Sequence, residues 1–307
     1  MTVRDAGWKA RRAGGTRVLE AQILRKIPWL VHGFSTRVGV EKWDTPAAIA
    51  ANRAKLLKAI GTAKMPLATL RQVHSDVAHV VCDAAEAGRT PDRFSGTDLP
   101  CSGADLPSAT ATGDAAMTVQ AGVLLSVQTA DCVPILLVDT KRRAIAAVHA
   151  GWRGTLARIV VKTLGRMRQE FGTRPQDVVV AIGPAIGGCC YEVGPEVAKE
   201  FASQFEKAGE WFDEQFSPQA EGELQTWLPW LTMMPPGHQP EPDRARLDLR
   251  AANRWQLVDA GVSPKNIVVS GLCTKCREDL FFSYRRDGAG TGRLMAVIGM
   301  KPKRVNG

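Results

Sequence analysis

Val123-Leu124-Leu125-Ser126-Val127-Gln128, Val133-Pro134-Ile135-Leu136-Leu137-Val138-Asp139 and Ala144-Ile145-Ala146-Ala147-Val148-His149 follow one another with short polar interruptions, and their reading decides the fold. Each run is nearly continuous in apolar residues and too short for a helix of ordinary length, which is the pattern of a strand buried on both faces. Val77 to Asp83 reads the same way. Downstream the period changes: Leu156, Ile159, Val160, Leu164, Met167 and Phe171 share one helical face, so Thr155 to Phe171 is expected as a helix. Asp177 to Ile182 then returns to a strand. A helix is expected over Glu196 to Phe205, and another follows Asp248 as N-cap and stops before Gly261. Asn266 to Ser270 and Arg293 to Met300 complete the expected strands. Two polar, Pro- and Gly-rich excursions, near 84–112 and 217–246, read as surface loops.

The chain has 307 residues, 45% of them hydrophobic, and a formal net charge of +9. The basic residues are scattered and no nucleic-acid-binding motif accompanies them, so no nucleic-acid partner is expected; a positive cleft would instead speed capture of an anionic small substrate. Arg4, Lys9, Arg11 and Arg12 without an apolar block predict a flexible basic leader over 1–20, with no signal h-region or membrane span, followed by one catalytic domain over 21–307. Seven cysteines point to reduced thiols and a cytoplasmic setting. Cys273 and Cys276 form a Cys-x-x-Cys pair without a second such pair, which reads as packing thiols on a loop rather than a zinc site. The adjacent Cys189 and Cys190 read the same way.

Three side chains stand at expected strand ends: His74 before the strand from Val77, Cys132 in the interruption before Val133, and His149 at the end of its strand, followed by Gly151 and Gly154. One thiolate and two imidazoles suit Zn²⁺ and leave a fourth position open for water or substrate, as in catalytic sites. On spacing alone each could equally be an ordinary hydrogen-bonded residue.

Six ordered motifs add context. They are His32-Gly33-Phe34-Ser35-Thr36-Arg37, Gln72-Val73-His74, Thr129-Ala130-Asp131-Cys132-Val133-Pro134, His149-Ala150-Gly151-Trp152-Arg153-Gly154, Gly183-Pro184-Ala185-Ile186-Gly187 with Tyr191-Glu192-Val193-Gly194, and Phe282-Ser283-Tyr284-Arg285-Arg286-Asp287. Together they resemble the laccase-domain family, also called multicopper polyphenol oxidase, purine nucleoside phosphorylase and peptidoglycan editing factor. The resemblance implies an α/β sandwich of mixed β-sheets flanked by helices, related to the toxin-deamidase-like cysteine hydrolase fold. It also implies a metal, usually zinc, on His74, Cys132 and His149.

The resemblance leaves several activities to weigh. A multicopper cluster needs many imidazoles, and the chain has five histidines and no His-x-His pair, so oxidase chemistry ranks low, although one His₂Cys site could take up Cu²⁺. The His-x-Glu of cytidine-deaminase sites is absent. What the resemblance implies first is phosphorolysis of adenosine, inosine and methylthioadenosine, together with adenosine deamination. Arg37, Arg153 and Arg285 are then candidates for phosphate, or else braces of the fold, and Tyr191 either meets the substrate or packs. The rival is a Cys132–His149 hydrolase that removes misincorporated serine from a nucleotide-linked muramyl precursor of peptidoglycan.

Overall fold

Side-chain alternation along the central strands sets the layering. In Val133–Asp139, Val133, Ile135 and Leu137 face one apolar cluster while Leu136 and Val138 face another; Ala144–Ala150 divides likewise, Ala146 and Val148 from Ile145 and Ala147. Apolar residues therefore occur at every position, because both faces of the sheet are covered.

The computed structural model describes residues 5–40, 45–83, 99–101, 111–213 and 245–302. In chain order the strands are β1 Trp8–Ala13, β2 Thr16–Ala21, β3 Leu30–Ser35, β4 Leu67–Ala68, β5 Ala78–Asp83, β6 Leu99–Cys101, β7 Ala115–Thr118, β8 Leu124–Thr129, β9 Val133–Asp139, β10 Ala144–Ala150, β11 Val178–Ile182, β12 Glu192–Val193, β13 Ala245–Arg246, β14 Ile267–Val269 and β15 Leu294–Met300. They form a six-stranded sheet β1-β2-β3-β15-β8-β4, a seven-stranded sheet β14-β11-β9-β10-β7-β5-β6 and a small pair β12-β13. Both large sheets are mixed, since β4 runs parallel to β8, and β5 to β7, among antiparallel neighbours.

Leu19, Phe34, Leu125, Val127 and Ile298 from the first sheet meet Leu136, Val138, Ile145 and Ala147 from the second in one shared core. On the far side of the seven-stranded sheet lie the helices Ile159–Phe171, Pro195–Gln204 and Leu249–Asp259, through Val160, Leu164, Met167, Phe201 and Leu257. The outer face of the six-stranded sheet carries Leu56 and Leu57 of the helix Pro46–Ala59 against Val18, Leu124 and Val297. The result is a helix–sheet–sheet–helix stack, the mixed α/β architecture expected.

The structure corrects three sequence expectations. From Trp8 onward the expected flexible basic leader is an edge hairpin: β1 and β2 pair from Trp8↔Ala21 to Ala13↔Thr16, and Trp8 and Leu19 are buried. The basic residues hid it, because an edge strand turns one face to water and Arg11 pairs with Glu20 across the hairpin. The helix expected over Thr155–Phe171 is two helices, Trp152–Leu156 and Ile159–Phe171, broken where Arg158 adopts φ 59°. The excursions also contribute to sheets, through β6 within the first and β13 at the end of the second, while most of both lies outside the described residues. Asp248 caps its helix as expected, accepting from the amides of Arg250 and Ala251.

His32 of β3 gives the fold a pH dependence. It is buried, and its Nε2 accepts from the amide of Ala21 at 2.9 Å, which requires a bare nitrogen. Burial first, then Arg25 and Arg11, hold its pKa down from 6.5 to about 4. Between these values the unfolded chain binds a proton that the folded chain does not, so stability present above pH 6.5 is lost as pH falls towards 4. The expected loss is about 3 kcal/mol. Urea unfolding at a series of pH values should show it in the parent and not in His32→Gln; equal slopes would refute the assignment.

Candidate metal centre

The three expected ligands meet because of strand register. β9 and β10 are antiparallel neighbours with His149 opposite Pro134, so the end of β10 lies beside the start of β9, where Cys132 stands. Cys132 occupies the crossover by which the chain leaves β8 in one sheet and enters β9 in the other. His74 reaches the same rim from the loop before β5. Its Nε2 is 3.7 Å from Cys132 Sγ, and one ligand atom from each of the three residues falls within 4.8 Å of the others. The two imidazoles are edge to face, 4.9 Å between centroids.

Gly151 makes room for this meeting. A Cβ there would lie 2.7 Å from His74 Cδ2 and 3.2 Å from Cys132 Sγ, so a side chain would push two ligands apart. Gln72 pins the His74 loop to the end of β8: its amide donates to Gln128 O at 2.8 Å and its Oε1 accepts from Gln128 N at 2.7 Å.

Asp114 organises the centre, and sequence reasoning missed it. Fully buried at the start of β7, its carboxylate accepts from the backbone amides of Val73, His74 and Ser75, from Ser75 Oγ, and from His149 Nδ1 at 2.8 Å. Burial opposes its charge, but the bonds from His149 and Ser75 outweigh burial and hold it well below the usual carboxylate range. With Nδ1 committed to Asp114, His149 presents Nε2 to the cavity, the arrangement that fixes a metal-binding imidazole. The only sequence signal was an aspartate just before an apolar run, at the edge of an excursion.

The thiol and imidazole share charge. Burial pushes the Cys132 thiol up, yet His149 and then His74 bring it down to about 6; burial pushes His149 down, yet Cys132 and Asp114 bring it up to about 9. A second buried carboxylate, Asp131, holds the wall beside Cys132. Its Oδ1 accepts from Thr274 Oγ1 at 2.6 Å, and its Oδ2 from Ser283 Oγ at 3.1 Å and Arg285 N at 2.7 Å. Both His74 and Asp131 have positive φ, 61° and 90°, in the region L-residues rarely adopt. Among the described residues, two of the four non-glycine residues with positive φ thus stand beside the thiolate, held by the two buried carboxylates.

These groups border a cavity of about 470 Å³ also lined by Trp152, Arg153, Tyr191, Tyr284, Arg285 and Arg293. That volume lies within the range of small-molecule sites. Arg153 stacks on Trp152 at 4.3 Å, and Arg285 lies over Tyr191 at 4.9 Å while donating to Glu192 O. Burial first, then the thiolate, raises the Tyr191 hydroxyl to about 12, so it stays protonated. Of the expected anion ligands, Arg153 and Arg285 reach the cavity and Arg37 does not: it donates to Glu278 O at 3.1 Å and lies on the Phe282 ring. Arg293 and Tyr284 line the cavity without having been singled out in the sequence. Trp152 both packs against the core and borders the cavity.

The donor set fits a borderline metal ion, with one thiolate and two imidazoles converging and a buried carboxylate behind one of them. Among the described residues it does not extend to a copper cluster. Among the described residues His32 is bonded to Ala21 N and His79 Nε2 to Thr112 O, and neither joins the group. A second group does form: Cys189 and Cys190 lie against Cys276, with Cys273 beside them, so the Cys-x-x-Cys pair has partners that sequence spacing did not reveal.

Fold and site define an α/β protein with an open thiolate–imidazole centre at the rim between two sheets. The chain belongs to the multi-copper polyphenol oxidoreductase laccase family, whose model matches residues 32–301. It is 36% identical over 286 residues to a purine nucleoside phosphorylase of Deinococcus radiodurans, covering 89% of this chain and 90% of that one. It is also 36% identical over 185 residues to an adenosine deaminase from an unknown prokaryotic organism, covering 60% of this chain and 61% of that one. The fold matches the crystal structure of the Bacillus licheniformis hypothetical protein YfiH with TM-score 0.74 and 27% identity, over 95% of this chain and 99% of that chain.

Proposed function

We propose that the protein is a zinc-dependent purine nucleoside phosphorylase acting on adenosine, inosine and methylthioadenosine, with adenosine deaminase activity. The observation that carries this reading is the convergence of His74, Cys132 and His149 on one side of a cavity whose remaining wall combines guanidinium groups with aromatic rings. The names of the relatives point the same way. His74, Cys132 and His149 would hold the ion, which when bound supplies Lewis acidity towards an oxygen of substrate, phosphate or water. Cu²⁺ would also bind such ligands, since affinity for nitrogen and sulfur donors peaks at copper.

In phosphorolysis a phosphate oxygen bonds to the anomeric carbon as the bond to the purine nitrogen breaks and the purine gains a proton. Arg153 and Arg285, joined by Arg293, supply the charge that orients phosphate. Trp152, Tyr191 and Tyr284 offer flat faces to the base, and the protonated Tyr191 hydroxyl can donate a hydrogen bond to the departing purine. Asp131 has both oxygens committed to the protein, so its part is to hold the Cys132 turn. In deamination, the oxygen of water bonds to the purine carbon that bears the amino group, the bond to that nitrogen breaks, and the nitrogen leaves as ammonia with a proton from the water.

Arg153 is exposed and stacked, so Arg153→Gln should leave thermal stability nearly unchanged and raise KM for phosphate about 10- to 100-fold. Steady-state kinetics with phosphate as the varied substrate will check this. An unchanged KM would remove Arg153 from the phosphate site.

One observation favours a second reading. Asp114, His149 and Cys132 form a carboxylate–imidazole–thiol relay in which the thiol is already acidic, as a nucleophilic hydrolase of the toxin-deamidase-like fold requires. Such an enzyme would cleave serine from a nucleotide-linked muramyl precursor of peptidoglycan. A paired assay separates the two. The metal-loaded protein should release base from adenosine only with phosphate present and release no serine from the muramyl precursor; serine release by the metal-free protein without phosphorolysis would establish the second reading.

A further inference from the structure

We propose that Cys189, Cys190, Cys273 and Cys276 bind one zinc ion as a tetrathiolate, a second metal site that staples the loop before Tyr191 of the cavity wall to the Cys273–Cys276 loop behind Asp131. The four sulfurs lie within 4.8 Å of one another. Cys276 Sγ is 3.7 Å from Cys189 Sγ and 3.3 Å from Cys190 Sγ. A tetrahedral ion with zinc–sulfur bonds of about 2.3 Å separates its ligands by about 3.8 Å, so the sulfurs are already spaced for a single ion. One disulfide at Cys276 would engage two of the four sulfurs, whereas one tetrahedral ion engages all four. On binding, four thiol protons pass to solvent and the complex carries two net negative charges.

The backbone around the cluster has the features of a thiolate knuckle. Cys273 and Cys276 flank a tight turn in which Arg277 N donates to Cys273 O at 3.0 Å, and Cys190 N donates to Gly187 O at 2.9 Å in the facing loop. Gly187 N donates to Cys273 Sγ at 3.3 Å, an interaction that favours the thiolate. Gly187 itself must lack a side chain: a Cβ would come within 3.2 Å of Cys189 Sγ and 2.8 Å of Arg250 Nη2. Lys275 stands between the two loop cysteines, and Arg250, ion-paired with Asp248, lies against the facing loop.

The position gives the site a role. Tyr191, which borders the cavity, directly follows Cys190. Thr274, which directly follows Cys273, donates to Asp131 beside Cys132. The two loops otherwise meet through the isolated bridge Ala185↔Cys273, the bond from Thr274 N to Ala185 O, and the contacts of Arg285 with Glu192 and Tyr191. An ion held by both loops would fix Tyr191 and Asp131 relative to the centre without touching substrate, so its residues are positioning residues.

The full-length protein, stripped of metal and reconstituted with Zn²⁺ under reducing conditions, provides the test. Elemental analysis should find about two zinc ions per chain in the parent, about one in Cys132→Ala and about one in the Cys189→Ser/Cys276→Ser pair. Co²⁺ added to Cys132→Ala should give the intense visible bands and thiolate charge-transfer absorption of tetrahedral cobalt, and this measurement decides the matter even if the serine pair fails to fold. Loss of the cluster ion should raise KM for nucleoside more than it lowers kcat, which a disturbed core would not do selectively. No metal and no cobalt–thiolate spectrum in Cys132→Ala, or a disulfide at Cys276 by intact mass under reductant, overturns the proposal. None of these metal readouts depends on which reaction the protein catalyses.

Discussion

Cys132→Ala is expected to lower the metal content of the protein by one equivalent per chain and to reduce turnover by about 10³-fold or more, while leaving the fold in place. Cys132 is the only thiolate in its group, and removing it leaves two imidazoles whose positions were matched to a third donor. On the zinc-dependent reading proposed above, a bound ion would supply Lewis acidity worth several kcal/mol of transition-state stabilisation, from which the expected rate loss follows. The fold should tolerate the change because Cys132 stands half-buried at a crossover, outside the packed clusters, and its backbone turn is held by Asp131 through Thr274, Ser283 and Arg285. Elemental analysis, circular dichroism and initial rates on the same preparation check all three statements. Full activity in metal-depleted parent protein would show that the thiolate acts by another route.

Asp114→Asn should cost the centre and the fold together. The carboxylate accepts from five donors: three backbone amides, Ser75 Oγ and His149 Nδ1. An amide has one acceptor oxygen and would turn an NH₂ towards the remaining donors, leaving buried groups unpaired at about 3–5 kcal/mol in stability. Metal affinity should fall about 10- to 100-fold, as when the partner behind a ligating histidine is lost. Urea denaturation of metal-free protein isolates the first effect and competitive chelator titration the second. Asn at normal stability and affinity would mean that the carboxylate's charge is not what holds the His74 loop.

The sequence showed the ligands more readily than their support. His74, Cys132 and His149 could be offered as candidates because each stands at an edge of an apolar run, where a side chain becomes available to a rim, and because their motifs resemble those of the laccase-domain family. Asp114 could not, because its partners at 73–75 and 149 are remote along the chain and only the packing of β7 beside β5 and β10 brings them together. Arg37 illustrates the opposite error. It lies in a motif, but Phe282 and the Glu278 carbonyl hold its guanidinium away from the cavity, while Arg293 reaches the wall from the approach to β15.

By itself, the sequence determined the two-sided burial of β8, β9 and β10 and the capped helix after Asp248, because apolar periodicity records how much of each face is covered, and it offered His74, Cys132 and His149 as candidate ligands through the resemblance of their motifs. Only the tertiary structure decided what does the covering and which distant residues meet. The β1–β2 hairpin, the Asp114 network and the pairing of Cys189 and Cys190 with Cys273 and Cys276 all depend on contacts between remote segments. Local spacing carries no information about such contacts, since strand register and loop closure set them, and these are properties of the whole packed chain.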